Sequence, residues 1–146
     1  NFPEESQKKI MTRGGEIVRE HLRNKGGVLY PQVEETLAKL AEKYKLFIVS
    51  NCEEGYIEAF YYAHKLEKYF LDFENPGRTG LTKGENIKLV VKRNNLQNPV
   101  YVGDTSGDAK AAHDAEVPFI YAHYGFGTVE SYDAKVDSFA ELLDIL

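Results

Sequence analysis

The chain has 146 residues, 42% of them hydrophobic, which is enough for one compact α/β domain but not for two. Its 23 acidic and 18 basic side chains give a formal net charge of -5, so no basic surface is expected for DNA, RNA or anionic lipid. The single cysteine excludes an intramolecular disulfide, and no apolar run approaches the roughly 18 residues of a membrane span. We therefore expect a cytosolic protein with neither nucleic acid nor a membrane as a partner.

Helical periodicity dominates the first part of the chain. Apolar residues recur near helical spacing between about residues 5 and 23, and the glycine pair Gly26 and Gly27 ends that pattern. A second helix is predicted from Pro31, because apolar residues after it repeat at intervals of three and four. The apolar run from Leu46 to Val49 then predicts a short, buried parallel strand.

Strands and helices alternate through the rest of the chain. The predicted elements are, in order, a helix bearing Ile57 and His64, a strand from Tyr69 to Phe73, a helix opened by Thr82 and Glu85, a strand from Val100 to Val102, a helix from Ser106 to Ala115, a strand from Pro118 to Ala122 and a final helix capped by Ser138 and Glu141. This alternation predicts a parallel sheet with helices on both faces.

The strongest candidate site directly follows the strand predicted at Val100 to Val102. It contains two carboxylates four residues apart, Asp104 and Asp108, after the glycine Gly103. Ligands of open parallel sheets bind beyond the carboxyl ends of the strands, and carboxylate oxygens suit a hard divalent cation such as Mg²⁺. The alternative is that both aspartates only cap the following helix and complement its dipole.

Two weaker candidates follow the other predicted strands and helix starts. Ser50 and Asn51 come after the strand at Leu46 to Val49, where a hydroxyl and backbone N–H groups can hold a phosphate oxygen. Lys83 lies beside the Thr82 cap, where its ammonium would add positive charge to a site that already favours anions. Each has an ordinary alternative, a helix N-cap for the serine and a solvated surface position for the lysine.

Three competing motifs fail on inspection. The stretch from Gly77 to Gly84 resembles a P-loop, but its Thr-Lys-Gly ending replaces the required Gly-Lys-Ser/Thr. Cys52 lacks the arginine that a cysteine-dependent phosphatase loop needs six positions later, where Glu58 stands, so a buried structural thiol is expected. The four histidines lack close metal-ligand spacing.

Taken together, these motifs resemble the haloacid dehalogenase (HAD) superfamily, particularly its phosphoglycolate-phosphatase-like branch. The resemblance covers about residues 29 to 146. The motifs that carry it are Ile48-Val49-Ser50-Asn51, which is similar to the second family motif, Lys83, which is similar to the third, Val102-Gly103-Asp104 through Asp108, which is similar to the fourth, and Val117-Pro118-Phe119 to Tyr124-Gly125-Phe126-Gly127, which resembles the segment after the last core strand.

The resemblance implies a Mg²⁺-dependent phosphatase that acts on a small phosphorylated metabolite through an aspartyl-phosphate intermediate. By this resemblance Asp104 ligates the metal and Asp108 supports it, directly or through water. Ser50 and Asn51 would bind the phosphoryl oxygens, and Lys83 would offset developing negative charge. Mutase or dehalogenase chemistry, a non-catalytic phosphate-binding or regulatory module, and a receiver-like signalling domain remain as alternatives.

The chain departs from the family in one respect, because the first motif, an Asp-x-Asp pair after an initial strand, does not occur in it. In family members that strand lies at the centre of the sheet. The resemblance therefore implies an α/β, Rossmann-like parallel sheet whose central first strand is missing from this chain.

The same departure predicts the domain organisation. Residues 1–27 would be a remnant of a helical cap domain, and residues 28–146 the α/β core. Because a sheet without its central strand would have two unpaired inner edges, we expect the missing portion to exist in the intact protein or to be supplied by another chain. We expect the chain alone to be inactive, and its oligomeric state does not follow from the sequence.

Overall fold

The structure, a computed structural model, describes residues 32–146. The helical pattern predicted near residues 5–23 and the cap remnant predicted at 1–27 lie outside the described residues. The elements are α1 (Val33–Lys43), β1 (Phe47–Val49), α2 (Tyr56–His64), a 3₁₀ helix (Glu67–Tyr69), β2 (Asp72–Glu74), α3 (Pro76–Thr79), α4 (Lys83–Arg93), β3 (Tyr101–Gly103), α5 (Ser106–Asp114), β4 (Phe119–Ala122), β5 (Ala134–Val136), a 3₁₀ helix (Phe139–Glu141) and α6 (Leu142–Ile145).

All the strand pairings within residues 32–146 are parallel, as the alternation of elements predicted. β1 pairs with β2, with Ile48 opposite Phe73. β4 lies between β3 and β5, and Ile120 is opposite Val102 on one side and Ala134 on the other. Within the described part of the chain, the strands therefore form a two-stranded sheet and a three-stranded sheet.

Helices cover both faces of these sheets. Neighbouring residues of a strand point to opposite faces, and in β1 Ile48 packs in one hydrophobic cluster while Val49 packs in another. The cluster around Ile48 contains the apolar faces of α1 and α2, whereas the cluster around Val49 contains Ile87 and Val90 of α4 and Ala111 of α5. The α/β fold with helices on both faces is confirmed.

An apolar cavity lies between β1 and β3. Its volume is about 530 Å³, and its lining includes all three residues of β1 and the first two residues of β3. Within residues 32–146 no strand joins the two sheets, which is the arrangement expected if a central strand is missing. Unpaired backbone groups along a buried strand edge cost about 1 to 3 kcal/mol each.

A tyrosine hydroxyl spans this cavity. The Leu46 carbonyl accepts from the Leu71 N–H, and the Ser50 N–H donates to the Glu74 carbonyl, so residues 46 and 50 face β2. Because backbone groups alternate in direction along a strand, the carbonyl of Val49 faces the opposite edge of β1. The Tyr101 hydroxyl donates to that carbonyl at 2.7 Å. One side chain of β3 thus satisfies a carbonyl of β1 that a neighbouring strand would otherwise bind.

The outer edge of β2 is closed differently, by charged side chains. The Phe73 carbonyl accepts from Arg78 and from Arg93, each at 3.4 Å, and the Phe73 N–H donates to the Asp72 carboxylate at 2.8 Å. Arg93 also pairs with the buried carboxylate of Glu74 at 3.0 Å. Charged side chains on an outer strand edge prevent further strand pairing.

Several features differ from the sequence prediction, among them the strand predicted from Tyr69 to Phe73, which is Asp72–Glu74 and follows a 3₁₀ helix that ends at Tyr69. Strand β5 and the four-residue helix α3 were not predicted, because their short segments carry no clear periodicity. Ser138 makes no side-chain cap hydrogen bond, so its predicted capping role is wrong, and a 3₁₀ turn precedes the short helix α6 there. Among residues 32–146, no helix combines the length and the apolar character needed to cross a membrane.

Replacing Tyr101 with phenylalanine should lower the free energy of unfolding by about 1 to 3 kcal/mol, because the buried Val49 carbonyl loses its donor. Urea denaturation of the two chains measures this difference. Tyr62→Phe is the matched control, since Tyr62 is 71% exposed. Equal losses in the two variants would contradict the bridging role.

Candidate active site

Asp104 and Asp108 lie at the carboxyl end of β3, where a capping box opens α5. Thr105 is the N-cap residue, and its hydroxyl accepts from the Asp108 N–H at 3.1 Å. Oδ2 of Asp108 in turn accepts from the N–H groups of Thr105 and Asp104, at 3.2 and 3.0 Å. Asp108 therefore has the helix-capping role that the alternative interpretation gave it, and only its partner in the capping box, Thr105, was not named from the sequence.

Lys83 enters the same site from α4. The capping box predicted at Thr82 and Glu85 is present and places Lys83 in the first turn of the helix. Its Nζ lies 2.5 Å from Oδ1 of Asp108, and the two side chains are 5% and 0% exposed. This burial contradicts the alternative of a solvated surface lysine, and the catalytic and phosphate-binding roles of Lys83 stay a prediction.

The ion pair governs the charge of Asp108. Burial alone would raise the pKa of this carboxyl, but the attraction and hydrogen bond of Lys83 and the backbone N–H group of Asp104 outweigh burial and lower that pKa. Asp108 is therefore held as a carboxylate that neutralises Lys83. Both of its oxygens have protein partners, so its contribution to a metal site stays a prediction.

Asp104 is arranged differently from Asp108. The side chain is 1% exposed, and its Oδ2 accepts from the backbone N–H of Phe126 at 3.0 Å. Its Oδ1 is buried and has no hydrogen-bond partner among the described residues. A buried carboxylate oxygen without a donor is costly, and a hard divalent cation is a fitting partner for it. The residues present therefore fit Mg²⁺ through Asp104.

Ser50 and Asn51 follow β1, in the other sheet. Ser50 is fully buried, and its N–H donates to the Glu74 carbonyl at 3.2 Å, while Asn51 is exposed. The following helix α2 has Gly55 as its N-cap, so Ser50 is not a helix cap and the helix start expected next to it is displaced. Burial raises the pKa of the nearby Cys52 thiol to about 12, which fits a structural cysteine.

The structure thus brings together Lys83, Asp104 and Asp108, whereas Ser50 and Asn51 lie at the end of β1 in the separate two-stranded sheet. Residues 32–146 contain no group of three or more histidine, cysteine or acidic side chains that would form a complete metal site.

A comparison with protein families decides the affiliation of the chain. The model for haloacid dehalogenase-like hydrolases matches residues 2–122. The chain belongs to this family. A search of curated proteins by sequence gives no significant match.

Solved structures of this HAD-like family have the same fold. A HAD-superfamily hydrolase of subfamily IA from Geobacter sulfurreducens matches with a TM-score of 0.74 and 18% identity over 88% of this chain and 65% of that one. A predicted phosphatase from Clostridium acetobutylicum matches with a TM-score of 0.76 and 21% identity, over 98% of this chain and 76% of that one. A predicted phosphoglycolate phosphatase from Haemophilus somnus matches with a TM-score of 0.70 and 25% identity, over 88% of this chain and 62% of that one. The chain thus spans between 62% and 76% of the length of these relatives.

Replacing Lys83 with methionine should cost about 3 to 5 kcal/mol in the free energy of unfolding, because it leaves the buried Asp108 carboxylate without its counter-ion. The double variant Lys83→Met/Asp108→Asn should recover much of that loss, since the amide is neutral. Urea denaturation measures both changes.

The control for this pair is Lys110→Met, which removes the exposed contact between Lys110 and Asp114. It should change stability little, because solvent screens that pair. A loss after Lys83→Met no larger than the control loss would show that the buried ion pair is not structurally important.

Proposed function

We propose that this HAD-like hydrolase is a Mg²⁺-dependent phosphatase of small phosphorylated metabolites, working through an aspartyl-phosphate intermediate. The observation that carries the proposal is the buried cluster of Lys83, Asp108 and Asp104, in which one oxygen of Asp104 has no partner among the described residues. The Lys83 ammonium, whose charge Asp108 balances, and the open oxygen of Asp104 suit a phosphate dianion that is bound together with a cation.

Each residue of the cluster has a distinct part in the proposed reaction. Asp104 would hold Mg²⁺ through Oδ1, and the cation supplies charge neutralisation at the phosphoryl group when bound. Lys83, fixed by Asp108, would stabilise the charge that develops on the transferring phosphoryl oxygens. Ser50 and Asn51, at the end of β1, would bind those oxygens by hydrogen bonds. The nucleophile is an aspartate outside this chain, because the chain has no Asp-x-Asp pair.

We propose further that this nucleophile arrives on an apolar strand that fills the cavity between β1 and β3. The apolar lining of the cavity and its position between two parallel sheets support a parallel strand there. Such a strand would carry an aspartate from its carboxyl end to the strand end where Asp104 lies. The metal site and the nucleophile would then be completed together.

The first test is hydrolysis of p-nitrophenyl phosphate by the intact protein. Turnover should require Mg²⁺, and Asp104→Ala should reduce it below about 1% of the wild-type rate, because the cation loses its ligand. Asp137→Ala is the matched control, since that carboxylate is 60% exposed and pairs with His123 instead. Retained turnover in the Asp104 variant would refute the proposed metal ligand.

The same assay distinguishes the second candidate function, a phosphate-binding module without catalysis. In that case the intact protein would bind inorganic phosphate, measured by calorimetry, but would not hydrolyse the ester. Dehalogenase chemistry would instead give halide release from a 2-haloacid and no phosphate release. The phosphatase is favoured, because the Lys83 ammonium together with a cation held by Asp104 would match a dianionic substrate better than a monoanion.

A peptide experiment tests the source of the nucleophile. A synthetic apolar strand of about 5 to 6 residues that ends in Asp-x-Asp should raise the melting temperature of the chain when added in trans, and should confer Mg²⁺-dependent hydrolysis. The matched peptide ending in Asn-x-Asp should raise the melting temperature equally without conferring turnover. The absence of any shift with either peptide would contradict strand insertion.

A further inference from the structure

The loop at residues 124–127, which follows β4, packs directly on the Asp104 carboxylate. A Cβ atom added at Gly125 would lie 2.3 Å from Cβ of Asp104 and 2.6 Å from its Oδ2. A Cβ atom at Gly127 would lie 2.4 Å from the Asp104 carbonyl oxygen. Only residues without a side chain allow this loop to approach so closely.

The loop is itself held in place from the sheet. The Gly125 N–H donates to the Ala122 carbonyl at 3.0 Å, which closes a turn at the end of β4. The hydroxyl of Tyr121, a buried residue of β4, donates to the Gly127 carbonyl at 2.8 Å. Between these two anchors the Phe126 N–H points at Oδ2 of Asp104.

We propose that the 124–127 loop is a positioning device for Asp104, with Gly125 and Tyr121 as its positioning residues. The Phe126 N–H binds Oδ2 and so prevents the carboxylate from rotating about its side-chain bond. Oδ1, the oxygen without a partner among the described residues, is then kept in one direction for Mg²⁺. This inference rests on the proposed function, since it assigns the geometry of the metal ligand named there.

This role differs from ordinary loop packing in what it would affect. A loop that serves only stability would alter the unfolding of the protein and leave its affinity for Mg²⁺ unchanged. A loop that orients a metal ligand would weaken the affinity for Mg²⁺ in a protein that remains folded, because partners of metal ligands set ligand orientation. High Mg²⁺ concentration would then restore turnover, since the ligand itself is still present.

The test is calorimetric titration of the intact, active protein with Mg²⁺ alone, together with turnover of p-nitrophenyl phosphate as a function of Mg²⁺ concentration. Gly125→Ala should weaken Mg²⁺ binding about 10- to 100-fold. Its KM for the ester at saturating Mg²⁺ should stay near the wild-type value, and its turnover should recover there. Asp104→Ala should not recover at any Mg²⁺ concentration.

Gly107→Ala is the matched control, because its added Cβ would meet only the Thr105 hydroxyl at an ordinary 3.7 Å. It should bind Mg²⁺ like the wild type. Tyr121→Phe tests the anchor without adding an atom and should weaken Mg²⁺ binding about fivefold, the equivalent of one neutral hydrogen bond. If Gly125→Ala does not fold, the Mg²⁺ affinity of Tyr121→Phe decides whether the loop positions Asp104.

Different outcomes would overturn the positioning role of the loop and the proposed phosphatase function. Wild-type affinity for Mg²⁺ in a folded Gly125→Ala variant, or in Tyr121→Phe, overturns the positioning role while the phosphatase proposal stands. A wild-type protein that neither binds Mg²⁺ nor hydrolyses the ester overturns the proposed function and the positioning role together.

Discussion

The arrangement of the site depends on one buried ion pair, Lys83 with Asp108. Two fully formed charges are removed from water there, which is tolerable only because each charge neutralises the other and hydrogen bonds satisfy the remaining oxygen. The pair also joins the first turn of α4 to the capping box of α5. The position of the lysine and the conformation of the strand end are therefore coupled, and neither can change alone.

Asp104 occupies its position as a result of this coupling. The Asp104 N–H donates to the Asp108 carboxylate, and the Asp104 carboxylate accepts from an N–H of the 124–127 loop. Two aspartates, one directly after β3 and one in the first turn of α5, thus have different environments. One is surrounded by donors and serves structure and charge balance, while the other retains an unpartnered oxygen among the described residues.

Much of this architecture was predictable from local sequence. The run Leu46 to Val49 and the capping box at Thr82 and Glu85 are short-range signals, and the structure has both within one residue. Strand β5 was missed because three residues carry too little periodicity. The Lys83 to Asp108 contact joins residues 25 apart in sequence, so their separate motifs suggested a shared site without showing the pairing. The Tyr124–Gly127 stretch was noted from the sequence, but the close approach of Gly125 to Asp104 depends on packing between separate loops, which a local pattern does not show.

The arginine-covered edge of β2 has a consequence for how copies of this chain behave in a crowded solution. An exposed parallel strand edge is a template on which identical molecules can stack into an extended ribbon. At β2 the guanidinium groups of Arg78 and Arg93 already occupy the outward carbonyl of Phe73, so that this carbonyl is not available to a strand of a second copy. Self-association by continuous β-structure is thereby disfavoured at this end of the molecule, even in a chain whose interior sheet is divided.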